Sequence, residues 1–323
     1  VNRDHKTATV VIVTRDRRDN ALCAVRSALD QSYEPLEVLV YDDASTDGTS
    51  AALTQTFPAV RVERVEQRVG YIALRNRGFR EARGEIVFSI DDDAYFATPE
   101  TVRYVLQRFQ EFPRAAALAL CYLEPGRPER LGFLRGIGDG DPVRNYIGCA
   151  HAIRREVALE AGGYRDWLIH QGEERDLCLR LMERGYEVRY VESPPIVHVP
   201  SASRDHTELA YLGLRNTFLF DVANVPFPDV VWRLSIDVLQ LARYRVTWRT
   251  LPRRLWHVVR GLAACASYCP RREPVSRATY GRFRNLTVHG PVAPTETTNA
   301  GEVTDEDQCP APATPASPAM RVA

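Results

Sequence analysis

Three adjacent carboxylates, Asp91-Asp92-Asp93, close an otherwise hydrophobic strand-like run from Glu85 to Ile90. Like charges this close oppose one another's ionisation unless a cation compensates them. Hard oxygen ligands in this arrangement suit Mg²⁺ or Mn²⁺, which keep several waters and share coordination with a diphosphate. Side chains alternate along an extended chain, so Asp91 and Asp93 point the same way and one ion can use both. Taken alone, the triplet also reads as a solvated acidic turn. A second acidic turn, Asp42-Asp43-Ala44-Ser45-Thr46-Asp47-Gly48, follows the strand-like Leu36 to Tyr41. By itself it is a helix start with Ser45 or Asp47 as cap. Side by side on one edge of a parallel sheet, the two turns offer more. Their carboxylates could accept hydrogen bonds from a base N–H and a ribose hydroxyl while a metal holds the phosphates. That is a nucleotide-diphosphate site without a glycine loop.

The elements that must position these residues alternate along the first half of the chain. Thr9 to Val13 is a short apolar run, as expected of a strand buried on both faces. Residues 19–31 carry Leu22, Val25, Ala28 and Leu29 at helical spacing, and the Leu36–Tyr41 strand follows. Val60 to Val65 and Glu85 to Ile90 are further strands, with a helix between them that has Asn76 and Gly78 near its start. Strands alternating with helices predict an α/β fold, a mostly parallel Rossmann-like sheet with helices on both faces. Ligands of such sheets sit at the carboxyl ends of the strands, where both acidic turns fall. Glu173 to Arg184 reads as a helix with Leu177 and Leu181 on one face and Gly185 as its C-cap, followed by a strand from Tyr186 to Val191.

Charge divides the chain into three parts. Lys+Arg and Asp+Glu are equal at 42 each, which excludes a generally basic nucleic-acid binder. That balance hides a basic segment, 225–290, with twelve Arg against three acids. Trp232, Trp248 and Trp256 are interleaved with its arginines. It predicts helices that either pack on the domain formed by 1–224 or lie on an anionic membrane. Residues 291–323, with five acids and six Pro, are expected to be disordered. The single lysine, Lys6, and the missing GxxxxGK[ST] motif remove phosphate-loop chemistry. The longest apolar run, Ala115 to Leu123, is too short for a membrane span, and the first ten residues lack a signal-peptide layout. Seven cysteines without a CxxC pair read as reduced thiols of a cytoplasmic protein. Cys265 and Cys269 have no His pair at ligand spacing.

Residues 10–49, VVIVTRDRRDNALCAVRSALDQSYEPLEVLVYDDASTDGT, resemble the opening of family 2 glycosyltransferases of the GT-A fold, rhamnosyltransferases among them. Gly70, Leu74-Arg75-Asn76-Arg77-Gly78 and Ala82-Arg83-Gly84-Glu85 are similar to the family's next stretch, and Asp91-Asp92-Asp93 to its Asp-x-Asp. Gly148 to Arg154, Ala161 to Tyr164 and Gly172 to Leu177 resemble its acceptor-side motifs. The likeness spans about residues 9–220, with the motifs in the family's order.

The resemblance implies a metal-dependent, inverting transfer of a sugar from a nucleotide-sugar to an acceptor hydroxyl. It implies that Thr14, Asp43 and Asp91 contact the nucleobase or ribose, and that Asp93, with Asp91, binds Mn²⁺ or Mg²⁺. Arg75 and Asn76 would lie beside the donor. Family members usually carry Glu-Asp where this chain has Glu173-Glu174, so Glu174 takes the base position with one methylene more, and Glu173 stands behind it. Acids in the first turn of a helix are also ordinary helix stabilisers. His198 occupies a place where the family often has a His near the metal, and a structural His is equally expected there. Arg215 resembles a position that contacts donor phosphates, and a helix-surface Arg would look the same. Two other functions fit the same motifs: a sugar nucleotidyltransferase, and a non-catalytic nucleotide- or sugar-binding domain.

Overall fold

A computed structural model describes residues 7–125, 137–199, 206–243, 251–268 and 272–289. The expectations for the 291–323 tail, and for Trp248, Cys269 and Lys6, lie outside these residues.

The first strands form where the apolar runs predict them: β1 (Ala8–Thr14), β2 (Leu36–Asp42), β3 (Arg61–Arg64) and β4 (Ile86–Asp91). They pair in parallel in the order β3-β2-β1-β4. Helices α1 (Arg18–Leu29), α2 (Thr49–Thr56) and α3 (Tyr71–Glu81) make the crossovers. Two local expectations shift. Helix α3 starts at Tyr71, after a Gly70 with φ 91°, so Asn76 lies mid-helix. Helix α2 has Gly48 as its N-cap, while Asp47 accepts from the backbone N–H of Thr49 and Ser45 accepts from that of Asp16.

Beyond β4 the sheet is mixed, with antiparallel pairs beside a parallel one. After β5 (Ala94–Phe96), α4 (Thr101–Glu111) and β6 (Ala115–Leu123), the strand β7 (His151–Arg154) inserts antiparallel between β4 and β6. Helices α5 (Arg155–Glu160) and α6 (Glu173–Glu183) follow, then β8 (Glu187–His198), about twice the expected length. Strand β8 runs parallel to β6 and antiparallel to β5, completing the order β3-β2-β1-β4-β7-β6-β8-β5. The Ala115–Leu123 run is thus an interior strand, and among the described residues no helix is long and apolar enough to cross a membrane.

Alternation along the strands divides the core between two faces. Val10, Ile12, Val38, Val40 and Phe88 pack against α1 and α4. Val11, Leu39, Tyr41 and Val87 pack against α3, α5 and α6. The second face also takes α7 (His206–Asn224) and α10 (Arg277–Asn285). Helices α8 (Asp229–Arg243) and α9 (Leu251–Tyr268) lie between these two in the chain. The described part of 225–290 is tied back to earlier elements. Arg144 donates to the Phe283 carbonyl at 3.0 Å, Ser276 bonds Glu183 at 3.0 Å, and Trp167 stacks on Tyr268 at 4.7 Å.

Candidate active site

Strand register decides which residues meet at one edge of the sheet. The parallel pairing of β1 with β2 and β4 sets Thr14 beside Asp42 and Val13 beside Asp91. The Thr14 hydroxyl donates to Asp92 at 2.9 Å, and its carbonyl accepts from Asp43 N–H at 2.9 Å. Arg17, one residue before α1, places a single nitrogen 2.8 Å from Asp92 and 2.9 Å from Asp93. Burial pushes the Asp92 carboxyl up to about 6, against the pull of Arg17 and the Thr14 hydroxyl. One part of the compensation that three adjacent carboxylates require is therefore Arg17.

The antiparallel and long-range pairings bring the remaining groups. Ala94 pairs with His198 across β5–β8, which sets the imidazole next to Asp93, with Nε2 3.3 Å from its carboxylate. Leu123 pairs with Val197 across β6–β8, so Glu124 lies beside His198 and its Oε1 stands 2.9 Å from Nδ1. Burial would lower the His198 pKa, but Cys149, Asp93 and Glu124 outweigh it and the ring is pushed up to about 12. Counting on from the Ser89–His151 pair of β4–β7 puts Cys149 opposite Asp91. Donor atoms of Asp91, Cys149 and His198 all lie within 4.8 Å of one another. Carboxylate oxygens and an imidazole whose far nitrogen is held by a carboxylate form a donor set that fits a divalent cation.

A buried arginine joins this cluster to the start of α6. Arg75 binds Asp91 and, with its other terminal nitrogen, stands 3.6 Å from Glu173 and 4.0 Å from Glu174. Its guanidinium lies 4.9 Å over the Tyr71 ring, and the Tyr71 hydroxyl donates to Glu173 at 2.6 Å. The two glutamates differ in access: the Glu173 side chain is 1% exposed and that of Glu174 19%. Burial, then the neighbouring Glu173 charge, holds the Glu174 carboxyl well above the usual carboxylate range, with Arg75 opposing. A Cβ on Gly148 would stand 2.6 Å from the Glu174 carboxylate and 2.9 Å from the Arg75 guanidinium, so both side-chain ends would have to shift to admit it.

The approach to α6 is strained and clamped. Ile169 and Gln171 have φ of 65° and 69°, which costs side-chain-bearing residues about 1–3 kcal/mol each. The Asn216 amide reaches the carbonyls of Leu168, His170 and Gln171 at 2.6–2.7 Å and holds this turn in place. Gln171 N–H also donates to the Tyr71 hydroxyl at 3.0 Å.

Of the residues expected from sequence, Thr14, Arg75, Asp91, Asp93, Glu173, Glu174 and His198 converge. Asp43 lies at the neighbouring strand end, where it accepts from the backbone N–H groups of Val69 (2.8 Å) and Gly70 (3.1 Å). Asn76 and Arg215 have other work. Asn76 exchanges hydrogen bonds with the Tyr164 backbone at 2.7 and 2.8 Å, and Arg215 bonds Asn216 and the Trp167 carbonyl. Sequence reasoning overlooked Arg17, Tyr71, Glu124 and Cys149. Glu124 carried a usable signal, since it ends an apolar run just as Asp91 does.

Residues 9–161 match the family described as "Glycosyl transferase family 2". A glucosyl-dolichyl phosphate glucuronosyltransferase of Haloferax volcanii is 26% identical over 214 residues, 59% of this chain and 68% of that protein. An uncharacterized glycosyltransferase of Bacillus subtilis, YwdF, is 24% identical over 66% of this chain and 81% of its own length. The uncharacterized protein y4gI of Sinorhizobium fredii is 25% identical over 62% of this chain, which spans only a quarter of that longer relative. Among solved structures, the mannosyltransferase PcManGT from Pyrobaculum calidifontis, in complex with GDP-Man and Mn²⁺, superposes with a TM-score of 0.55 at 20% identity. That match covers 86% of this chain and 78% of the other. S. aureus TarS 1-349 in complex with UDP-GlcNAc gives 0.61 at 14% identity, over 80% of each chain. These likenesses show a shared GT-A fold.

Proposed function

Residues 9–161 are a glycosyl transferase family 2 domain, and on that premise we propose that the chain is a metal-dependent, inverting enzyme acting on a nucleotide-sugar. The observation that carries this reading is Arg75. One buried guanidinium holds Asp91 of the carboxylate cluster and faces Glu173 and Glu174, so the cation end and the base end of the site are one connected unit.

Asp91, Asp93 and His198 are the residues that would hold the cation. When bound, a divalent ion neutralises the donor diphosphate and stabilises the leaving nucleoside diphosphate. Thr14, the last residue of β1, and Asp43, just after β2, would contact the nucleoside. Glu174, the more exposed of the two glutamates, takes the proton of the acceptor hydroxyl. As it does so, that oxygen bonds the anomeric carbon and the bond from that carbon to the phosphate oxygen breaks on the opposite side. A raised pKa makes Glu174 a stronger base once ionised. Glu173, bonded to Tyr71, sets the local charge and leaves the reach to its neighbour.

The two solved structures above are in complex with GDP-Man and UDP-GlcNAc, which supports a nucleotide-sugar donor here without fixing the sugar. Incubation with Mn²⁺ and a panel of nucleotide-sugars, read by mass spectrometry, should show release of a nucleoside diphosphate. If pyrophosphate were instead released from a sugar phosphate and a nucleoside triphosphate, the chain would be a nucleotidyltransferase. Binding without turnover would mark it as non-catalytic.

A membrane-borne acceptor is the partner that the C-terminal helices favour. Trp232 on α8 and Trp256 on α9 are 68% and 60% exposed, and Leu255, Val259 and Leu262 extend an apolar stripe along α9. Exposed Trp and Leu in a segment with twelve Arg against three acids complement an anionic bilayer. Co-sedimentation with anionic vesicles, reduced in Trp232→Ser/Trp256→Ser and absent with neutral vesicles, would support it. No sedimentation with either would overturn it.

A further inference from the structure

The geometry points to Cys149 as a direct ligand of the divalent cation, an Asp-Cys-His arrangement that makes the site prefer Co²⁺ or Zn²⁺ over Mg²⁺. This rests on the cation site proposed above and adds a sulfur to it. Cys149 is buried, and counting on from the Ser89–His151 pair puts it opposite Asp91. The Asp91 oxygen, the Cys149 sulfur and a His198 nitrogen are mutually within 4.8 Å. Two donors on one ion lie no further apart than the sum of their bond lengths, about 4.4 Å for a Zn–S bond near 2.3 Å and a Zn–N bond near 2.1 Å. The cluster needs to draw in only slightly to share an ion.

The surroundings are built for such a role. Asp93 adds a carboxylate 3.3 Å from His198, and Glu124 holds the far nitrogen of the ring, the support that metal-bound imidazoles usually have. Arg75 on Asp91 and Arg17 on Asp93 offset the excess negative charge that a thiolate would add. A thiol binds metal as the thiolate, so its proton leaves to solvent when the ion enters. Sulfur is soft, whereas Mg²⁺ takes hard oxygens in a strict octahedron. Cys149 would therefore set which cation the enzyme uses. The other cysteines among the described residues, at 23, 121, 178 and 265, are not part of this cluster.

Cobalt substitution of the full chain tests this without an activity assay. Wild type with Co²⁺ should show both visible d–d bands and a near-ultraviolet thiolate-to-cobalt charge-transfer band. Cys149→Ser and Cys149→Ala should keep the d–d bands and lose the charge-transfer band. Their Zn²⁺-over-Mg²⁺ preference, measured by competition, should fall about tenfold or more. Cobalt bound by wild type without a thiolate band would overturn the role of Cys149 and leave the carboxylate-imidazole site standing. A thiolate band that survives in both variants would assign it to another cysteine and overturn the role equally. If wild type bound no cobalt at all, the cation site itself would fall, and this inference with it.

Discussion

Glu124 and His198 stand 2.9 Å apart, carboxylate to Nδ1, both buried and brought together by the pairing of β6 with β8. The contact fixes which ring nitrogen faces Asp93. Loss of such a supporting carboxylate typically costs 10–100-fold in metal affinity. Glu124→Ala should therefore weaken Mn²⁺ binding by about 10- to 100-fold in calorimetric titration, and Glu124→Gln, which keeps an acceptor, by less. Unchanged affinity in Glu124→Ala would detach His198 from the cation.

The pH dependence of turnover follows from the glutamate pair. Glu174 acts only when ionised, so kcat/KM falls as pH drops through its pKa. Burial and then the Glu173 charge raise that pKa, so the acid limb should lie above the ordinary Glu value of about 4.3. Glu173→Gln removes the second of these causes, and the limb should move to lower pH. A limb that stays put would show that the two carboxyls do not interact in the working enzyme.

Gly148 is a contact point where a single methyl group would press on both ends of the Arg75–Glu174 pair. Its Cβ would collide with the ends of Glu174 and Arg75, both of which must move to make room. Misplacement on the scale of an ångström can cost 100-fold in rate. Gly148→Ala should lower kcat by roughly 100-fold while far-ultraviolet circular dichroism stays that of wild type. Full activity would mean that neither side chain is held where catalysis needs it.

Much of this was readable in the sequence, and the remainder has a common physical reason. Asp91, Asp93 and Asp43 announce themselves because polar residues at the end of an apolar strand need a purpose. Thr14 and Arg75 follow from motif order. What could not be read is which distant strand end comes alongside. His198 follows from the family resemblance, but Glu124 and Cys149 come beside Asp91 and Asp93 only because β7 inserts antiparallel and β8 runs between β6 and β5. Pairing of that kind depends on long-range register, which local periodicity does not encode. The clamp on Leu168–Gln171 escaped for the same reason, since Asn216 lies 45 residues beyond the turn it holds.

Away from the site, Asp221 of α7 and Asp237 of α8 form a buried carboxyl pair. Burial, then the hydrogen bond and charge of Asp237, push Asp221 up to about 8. A carboxyl whose folded pKa exceeds its unfolded value of about 3.9 stabilises the fold fully below that value. The contribution is lost as pH rises towards 8. Urea midpoints of wild type should thus decline between about pH 4 and about pH 8, and Asp221→Asn should flatten that decline. Parallel curves for the two proteins would show that the pair does not carry the proton.

The most direct test of the mechanism compares wild type with Glu174→Gln on one Mn²⁺-loaded nucleotide-sugar, measuring donor affinity and nucleoside diphosphate release together. The expected result is equal donor affinity with release slowed by about 10²- to 10⁴-fold, the range for loss of a general base. Full release by Glu174→Gln would contradict the assignment of Glu174 as the base.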